Sequence, residues 1–416
     1  MNFNKEVIII GGGVIGLGCA HYLIEQGASV RILEKDRIGD GASHGNCGLL
    51  YFSDLIPLCS PGAVSHEILR TLKGTSPLYI KPTLDLKRLS WLLNFAFKCN
   101  DSHKTRAAKA KFELLTSSMT LFRDLLSLEE LACDFEDKGI LSVFKETANF
   151  EAFQETDNFL KDFGLGARKI EKDELLDMEP ALRQDVAGAW LNRFDWHLRP
   201  ELLMDSWKKY LLSKGLIIEE NCQADDLEVS NGRIKSVNTV KGKFEADDFI
   251  LATGAWAPLT AKKLNFNLPV EPGKGYSITM ERPEPCPATP CMLYEKNMVV
   301  TPWKSAYRLG GTMEFSGYGT TMNRKRLEKL MTGAGAYLKE PLGRPLIEEW
   351  TSLRPMTYDD MPVIGRAPSQ ENLIVATGHG MLGLTLATGT GKAVCDLIYG
   401  HEPGINLKPF SLERFQ

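Results

Sequence analysis

Hydrophobic positions along the chain fall into short unbroken runs separated by glycine-rich turns and amphipathic stretches. The first run, Val7-Ile8-Ile9-Ile10, has the β-branched density of a parallel strand buried on both faces. Glycines follow at once, then a helical pattern to about Gln26 ended by Gly27, then a second strand over 29–33. Near the C-terminus the same order returns. A strand over 372–376 leads through a glycine loop into an amphipathic helix over 387–399 that stops at Gly400. A third apolar strand over 247–250 runs into the small-residue turn Ala252-Thr253-Gly254-Ala255-Trp256, which suits close approach of a ligand. Between these units the pattern predicts a helix over 200–214 and strands over 216–219, 226–229 and 234–240, the last two joined at Asn231-Gly232. Short strands at 278–280, 298–301 and 308–312 predict a second sheet.

Residues 7–24 and 372–391 carry no charge over 18 and 20 positions, the length of a membrane span. Each holds five glycines, with His21 and Tyr22 in the first and His379 in the second, so too little Leu, Ile or Phe remains to favour insertion. The first stretch follows Lys5-Glu6 and lacks a small-residue cleavage site, so a secretory signal is not expected.

The chain has 416 residues, 43% hydrophobic and 25% charged, the balance of a folded protein of two or three domains. A net charge of -4 excludes the basic coat that nucleic-acid binding requires. Nine cysteines without CxxC spacing, and no HExxH, predict neither a disulfide framework nor a metal site. Reduced thiols are the expectation, and with them a cytoplasmic location.

Gly11, Gly13 and Gly16 match G-x-G-x-x-G between a strand and a helix, and Glu34 closes the second strand 18 residues later. This is the dinucleotide-binding arrangement. Gly11 permits the tight turn, Gly13 admits a pyrophosphate, and Gly16 lets the helix approach the strand, with Val14 and Ile15 opening the helix toward the phosphates. Glu34 would accept hydrogen bonds from ribose hydroxyls, with Lys35 beside it. This unit alone leaves FAD and NAD open. The second glycine unit, Thr377-Gly378-His379-Gly380-Met381-Leu382-Gly383-Leu384-Thr385, favours FAD. A helix N-terminus there would stabilise the negative charge of a reduced flavin, which a nicotinamide does not develop.

These segments together resemble the FAD-dependent D-amino-acid oxidase and dehydrogenase family, most closely its bacterial D-amino acid dehydrogenase small-subunit group. The resemblance rests on the N-terminal fingerprint, Ala42-Ser43-His44-Gly45-Asn46-Cys47-Gly48, Ala252-Thr253-Gly254-Ala255-Trp256, Leu353-Arg354-Pro355-Met356-Thr357 with Pro362-Val363-Ile364-Gly365, and Gly378-His379-Gly380. It implies an α/β fold: a Rossmann-like FAD-binding domain of the glutathione-reductase type, with a discontinuous α+β substrate domain built on an antiparallel sheet. The expected division is 1–85, 195–270 and 345–416 for FAD, and 86–194 and 271–344 for substrate.

The resemblance also implies a chemistry. Arg354 takes the position that pairs with a substrate carboxylate, a role suited to a guanidinium fork; capping of strand-end carbonyls is the competing reading. Tyr276 and Tyr294 fall where the substrate face is expected, either as phenols holding substrate or as core residues. His379 could hydrogen-bond near the flavin or simply satisfy backbone. Ser43 would meet a phosphate, Asn46, Cys47 and Gly48 the ring, and Thr253 and Gly254, Gly378, Gly380, Leu382, Gly383, Leu384 and Thr385 the remaining cofactor surface. His44 and Cys47 match no known attachment position, so non-covalent FAD is expected. The implied reaction is hydride transfer from the amino-acid Cα–H to flavin N5, giving an imino acid and then a 2-oxo acid plus ammonia, with a quinone or similar electron acceptor. Oxidation of a cyclic or N-substituted amino acid, or a flavin-binding subunit without turnover, remain alternatives.

Residues 81–111 carry eight lysines and arginines against Asp85 and Asp101, around Leu89-Ser90-Trp91-Leu92-Leu93-Asn94-Phe95-Ala96-Phe97. Such a basic amphipathic helix, over 86–99, is either a core helix with a solvated face or a peripheral contact with the inner face of the cell membrane.

Overall fold

A computed structural model describes residues 5–65, 78–82 and 84–415. The apolar run forms the strand Glu6–Ile10, flanked in parallel by Ser29–Leu33 and Asp248–Leu251. Leu373–Thr377 extends the parallel sheet on one side and Ile217–Glu219 on the other, and Val363–Arg366 closes one edge in antiparallel pairing. Glu6–Ile10 is buried at four of its five positions, as a strand covered on both faces must be.

Helices Val14–Glu25 and Ala387–Tyr399 pack together beside this sheet. The second spans the expected residues and ends at Gly400 in the left-handed conformation. A separate three-stranded meander, Ala224–Ser230, Arg233–Thr239 and Gly242–Glu245, turns at Asn231-Gly232, where both residues have positive φ.

The second sheet runs Leu346–Thr357, Val270–Met280, Tyr307–Phe315, Met298–Pro302, Cys291–Leu293, Ile140–Phe144, Gly188–Asn192, Arg168–Glu171, with Leu78–Ile80 beside Tyr307–Phe315. It is largely antiparallel, but Cys291–Leu293 pairs in parallel with Ile140–Phe144, and Leu78–Ile80 with Tyr307–Phe315. Leu346–Thr357 and Leu78–Ile80 both lie outside the stretches expected for the substrate domain. The long helix Asp101–Leu126, within the 86–194 stretch assigned to substrate, packs instead on Ala387–Tyr399. Ser118 Oγ donates to the Thr385 carbonyl at 2.6 Å, and Thr388 Oγ1 to the Ser118 carbonyl at 2.9 Å. Alanines 107, 108 and 110 with Leu114, Leu115 and Phe122 give that helix a buried stripe, so its apolar face joins the nucleotide-binding core.

Candidate active site

One cavity of about 1810 Å³ runs between the two sheets, lined from Ile10 and Gly11 at one end to Arg354 and Thr312 at another. It exceeds the usual ~300–1,000 Å³ of a small-ligand site, and so has room for a dinucleotide and a substrate together.

At the nucleotide end the chain turns sharply after Ile10. Gly11 has φ 111, and a Cβ there would lie 2.5 Å from the Ala252 carbonyl. The Val14 N–H, at the start of the helix, donates to Ser43 Oγ at 2.9 Å. Glu34 accepts the Gly12 N–H at 2.7 Å and the Asp36 N–H at 3.0 Å, while burial raises its pKa. Lys35 sits 4.6 Å over the Trp256 ring. Thr253 Oγ1 is buried without a hydrogen-bond partner among the described residues. A shaped cradle with an orphaned hydroxyl fits an adenine dinucleotide. Gly13, Val14, Ile15, Thr253 and Gly254 line the cavity, whereas Gly16 stands behind its wall.

Across the cavity, His379, Gly380, Leu382, Gly383, Leu384 and Thr385 line the surface before the C-terminal helix, with Gly378 behind them. His379 is buried, its Nε2 is 3.0 Å from Thr390 Oγ1, and burial pushes its pKa down to about 3. The ring is therefore a neutral hydrogen-bonding wall.

The loop between the two halves is held from the second sheet. Asn46 staples it, donating to the Ala42 and Ser43 carbonyls and accepting the Gly48 N–H at 2.9 Å. Arg308, fully buried, donates to the Asn46 carbonyl at 2.7 Å and to Glu201 at 3.1 Å. Ser277 Oγ binds the Gly45 carbonyl and Thr301 Oγ1 the Cys47 carbonyl, each at 2.7 Å. His44 pairs with Glu348 at 2.9 Å. Ser43, Asn46 and Cys47 line the cavity, but Gly48 does not. Burial raises the Cys47 thiol pKa, with Arg354 and Arg308 nearby opposing the shift.

Arg354 lies on Leu346–Thr357 with its guanidinium over the neighbouring strand. Nη1 donates to the Thr312 carbonyl at 3.2 Å and stands 3.9 Å from Met313 Sδ. Among the described residues no carboxylate pairs with it, and burial lowers its pKa. Thr312 and Met313 sit in a bulge of Tyr307–Phe315 opposite Gly275, where the ladder to Val270–Met280 shifts register. Thr312 holds φ 60, a costly conformation for a β-branched residue. A half-buried cation with no anion beside it among the described residues is expensive, and it leaves the guanidinium open to an anionic group entering the cavity.

The two tyrosines differ. Tyr276, 1% exposed, donates its hydroxyl to Glu314 at 2.9 Å, and Lys274 stands 3.3 Å from the same carboxylate. Its phenol is thus committed to a buried ion cluster. Tyr294 packs 4.4 Å from Phe144 and lines the cavity. Sequence reasoning missed Gly275, Arg308, Thr312, Tyr51 and Asp54. No local spacing marks them, since each reaches the site through long-range pairing.

The sequence pattern of the FAD-dependent oxidoreductase (DAO) family matches residues 6–397. The chain is similar to a D-amino acid dehydrogenase of Neisseria meningitidis, 29% identical across 99% of this chain and 100% of the relative. A D-amino acid dehydrogenase of Helicobacter pylori is 31% identical over 94% of each chain. Among solved structures it resembles glycine oxidase from Geobacillus kaustophilus, with a TM-score of 0.79, 22% identity and 98% coverage of each chain. L-proline dehydrogenase from P. horikoshii has a TM-score of 0.75 and 19% identity, covering 100% of this chain and 98% of its own. With the nucleotide cradle, the C-terminal glycine loop and this match in agreement, the chain belongs to the DAO family of FAD-dependent oxidoreductases.

Proposed function

We propose that this enzyme oxidatively deaminates a D-amino acid and passes the electrons to a quinone or similar acceptor. The observation that carries this reading is Arg354: a half-buried guanidinium, unpaired by any described carboxylate, lining the cavity that also holds the dinucleotide cradle. The relatives named D-amino acid dehydrogenase support the choice of substrate. FAD, which the cradle of Gly11, Gly13, Glu34 and Ser43 would hold without a covalent link, would supply the hydride acceptor for oxidation of the amino acid to an imino acid, which water hydrolyses to a 2-oxo acid and ammonia.

The chain's own residues then have positioning work. Arg354 holds the carboxylate in two-point contact and fixes the direction of Cα–H. The Thr312 carbonyl, aimed by its bulge, holds Nη1 in place. His379 stays neutral, and the Tyr276 phenol is occupied by Glu314. Neither offers a base, which agrees with binding of the neutral amine. The first sheet and its helices serve as the FAD domain, and the second sheet, Leu346–Thr357 included, as the substrate domain.

The helix Leu86–Lys98 roofs the cavity with Trp91, Leu92 and Phe95. Its outer side exposes Leu86, Leu89, Leu93 and Phe97, from 53% to 79%, beside Lys87 and Lys98. This two-sided arrangement supports a peripheral contact with an anionic membrane face, where a quinone would be reached. No described helix is long and apolar enough to cross a membrane.

The test is an anaerobic absorbance titration of the FAD-loaded enzyme with D-amino acids, their L-isomers, sarcosine and proline. Bleaching by D-amino acids, lost in Arg354→Leu with FAD still bound, is the expected result. Bleaching by sarcosine or proline alone would overturn the substrate, and full activity in Arg354→Leu would overturn the role of the guanidinium.

A further inference from the structure

A carboxylate outside the nucleotide end also faces the same cavity. Asp54, just past the strand Leu49–Leu50, lines it. Among the described residues its carboxylate accepts no hydrogen bond. Within electrostatic reach of it is Lys111, 1% exposed, whose Nζ has no hydrogen-bond partner among the described residues and stands 3.6 Å from Asp360 Oδ2. Asp360 also accepts the Leu58 N–H at 2.9 Å. One ammonium thus serves two carboxylates, Asp54 and Asp360. Burial pushes the Asp54 pKa up to about 6 and raises that of Asp360, with Lys111 opposing both shifts, so the trio is short of positive charge when both acids are ionised.

The neighbouring acids do not share this excess. Asp359 is paired with Arg414 at 2.8 Å. Asp195 accepts the Ser53 N–H at 2.8 Å and its hydroxyl at 2.6 Å, and burial pushes its pKa up to about 8, so it is held largely as the neutral acid. Asp54 is left as the carboxylate that a ligand can reach.

Its surroundings suit a cation. Tyr51, Phe153 and Tyr294 line the cavity with it, and Tyr51 lies within electrostatic reach of Asp54 and Tyr294 alike. Aromatic rings beside a carboxylate favour an ammonium or guanidinium. The α-amine is a poor match for that charge. A carboxylate partner would hold it protonated, and a protonated amine has no lone pair to form the imine as hydride leaves Cα. A cation that the reaction does not touch has no such conflict.

We propose that the preferred substrate is an amino acid with a basic side chain, its carboxylate on Arg354 and its side-chain cation on Asp54. The inference rests on the carboxylate-binding reading of Arg354.

The experiment compares kcat/KM for D-lysine, D-arginine and the uncharged D-norleucine, using FAD-loaded enzyme and an artificial dye acceptor. Wild type favours D-lysine over D-norleucine by roughly tenfold or more, and Asp54→Asn lowers that ratio by roughly tenfold or more. Asp54→Glu, which restores the charge, recovers most of the preference. Asp54→Asn leaves Lys111 and Asp360 as a balanced pair, so the fold does not depend on the charge removed. A wild-type ratio near one, or an equal ratio in Asp54→Asn, overturns the inference while leaving Arg354 its role. Absence of turnover with every amino acid, or an unchanged KM in Arg354→Leu, overturns both.

Discussion

The guanidinium of Arg354 lies across the backbone of Gly275, in the space that a side chain at that position would need. The strands pair so that Arg354 faces Gly273 and Ser352 faces Gly275. The long arginine side chain therefore leans along the sheet to reach the Thr312 carbonyl. Gly275→Ala is expected to push the guanidinium out of place, raising KM for the amino acid by roughly tenfold or more. The flavin-to-protein ratio should stay at the wild-type value, since the cradle is remote. An unchanged KM would show that the arginine has another resting place.

The nucleotide cradle makes a separate prediction. A Cβ on Gly16 would collide with the Gly11 carbonyl, and Glu34 is the acceptor for the Gly12 N–H. Gly16→Ala and Glu34→Ala should both weaken FAD retention, the second by roughly 10- to 100-fold in Kd, as for loss of hydrogen bonds to a charged group. Spectrophotometric flavin content after dialysis measures this. Substrate ranking should not change in the protein that keeps FAD.

Stability should respond to pH through Asp195. Burial raises its folded pKa to about 8, far above that of an unfolded aspartate near ~4. Between those values the folded state binds more protons, so this group's stabilisation is full at low pH and is lost as pH rises through about 8. Asn mimics the protonated acid and can keep both contacts to Ser53. Asp195→Asn should therefore gain Tm relative to wild type at pH ~8.5 and gain less at pH ~5, by thermal melts at both values.

Membrane contact through the cavity roof is equally open to measurement. Leu93→Glu with Phe97→Glu places two carboxylates on the exposed side of Leu86–Lys98, away from Trp91 and its bond to the Met356 carbonyl. Sedimentation with anionic vesicles should fall several-fold, and dye-coupled activity in solution should persist, because burying a charge in the interface is unfavourable. Equal sedimentation of the double variant would remove this helix as the contact.

Legibility of the fold followed the range of the forces involved. Strands Glu6–Ile10 and Ser29–Leu33 and helix Ala387–Tyr399 are set by local composition: β-branched runs, glycine punctuation and one amphipathic stripe. They appear where the sequence places them. The strand Leu346–Thr357 was not legible, because its less buried start, Leu346-Ile347-Glu348-Glu349, has no strict alternation and is ordered by pairing with Val270–Met280. The helix Asp101–Leu126 was read only as part of a basic stretch, since its charges outnumber the alanines that mark its buried side.

By itself the sequence determined the dinucleotide cradle, the flavin-type glycine loop and Arg354 as the carboxylate partner to be tested. Each depends on residues close together in the chain or on a side chain whose chemistry allows few roles. Only the tertiary structure decided that Tyr276 is spent on Glu314, that His379 is neutral, and that Asp54 meets the cavity beside an overcommitted Lys111. Those outcomes depend on burial and on partners tens or hundreds of positions away. Desolvation and long-range pairing are properties of the packed chain, and no local pattern encodes them.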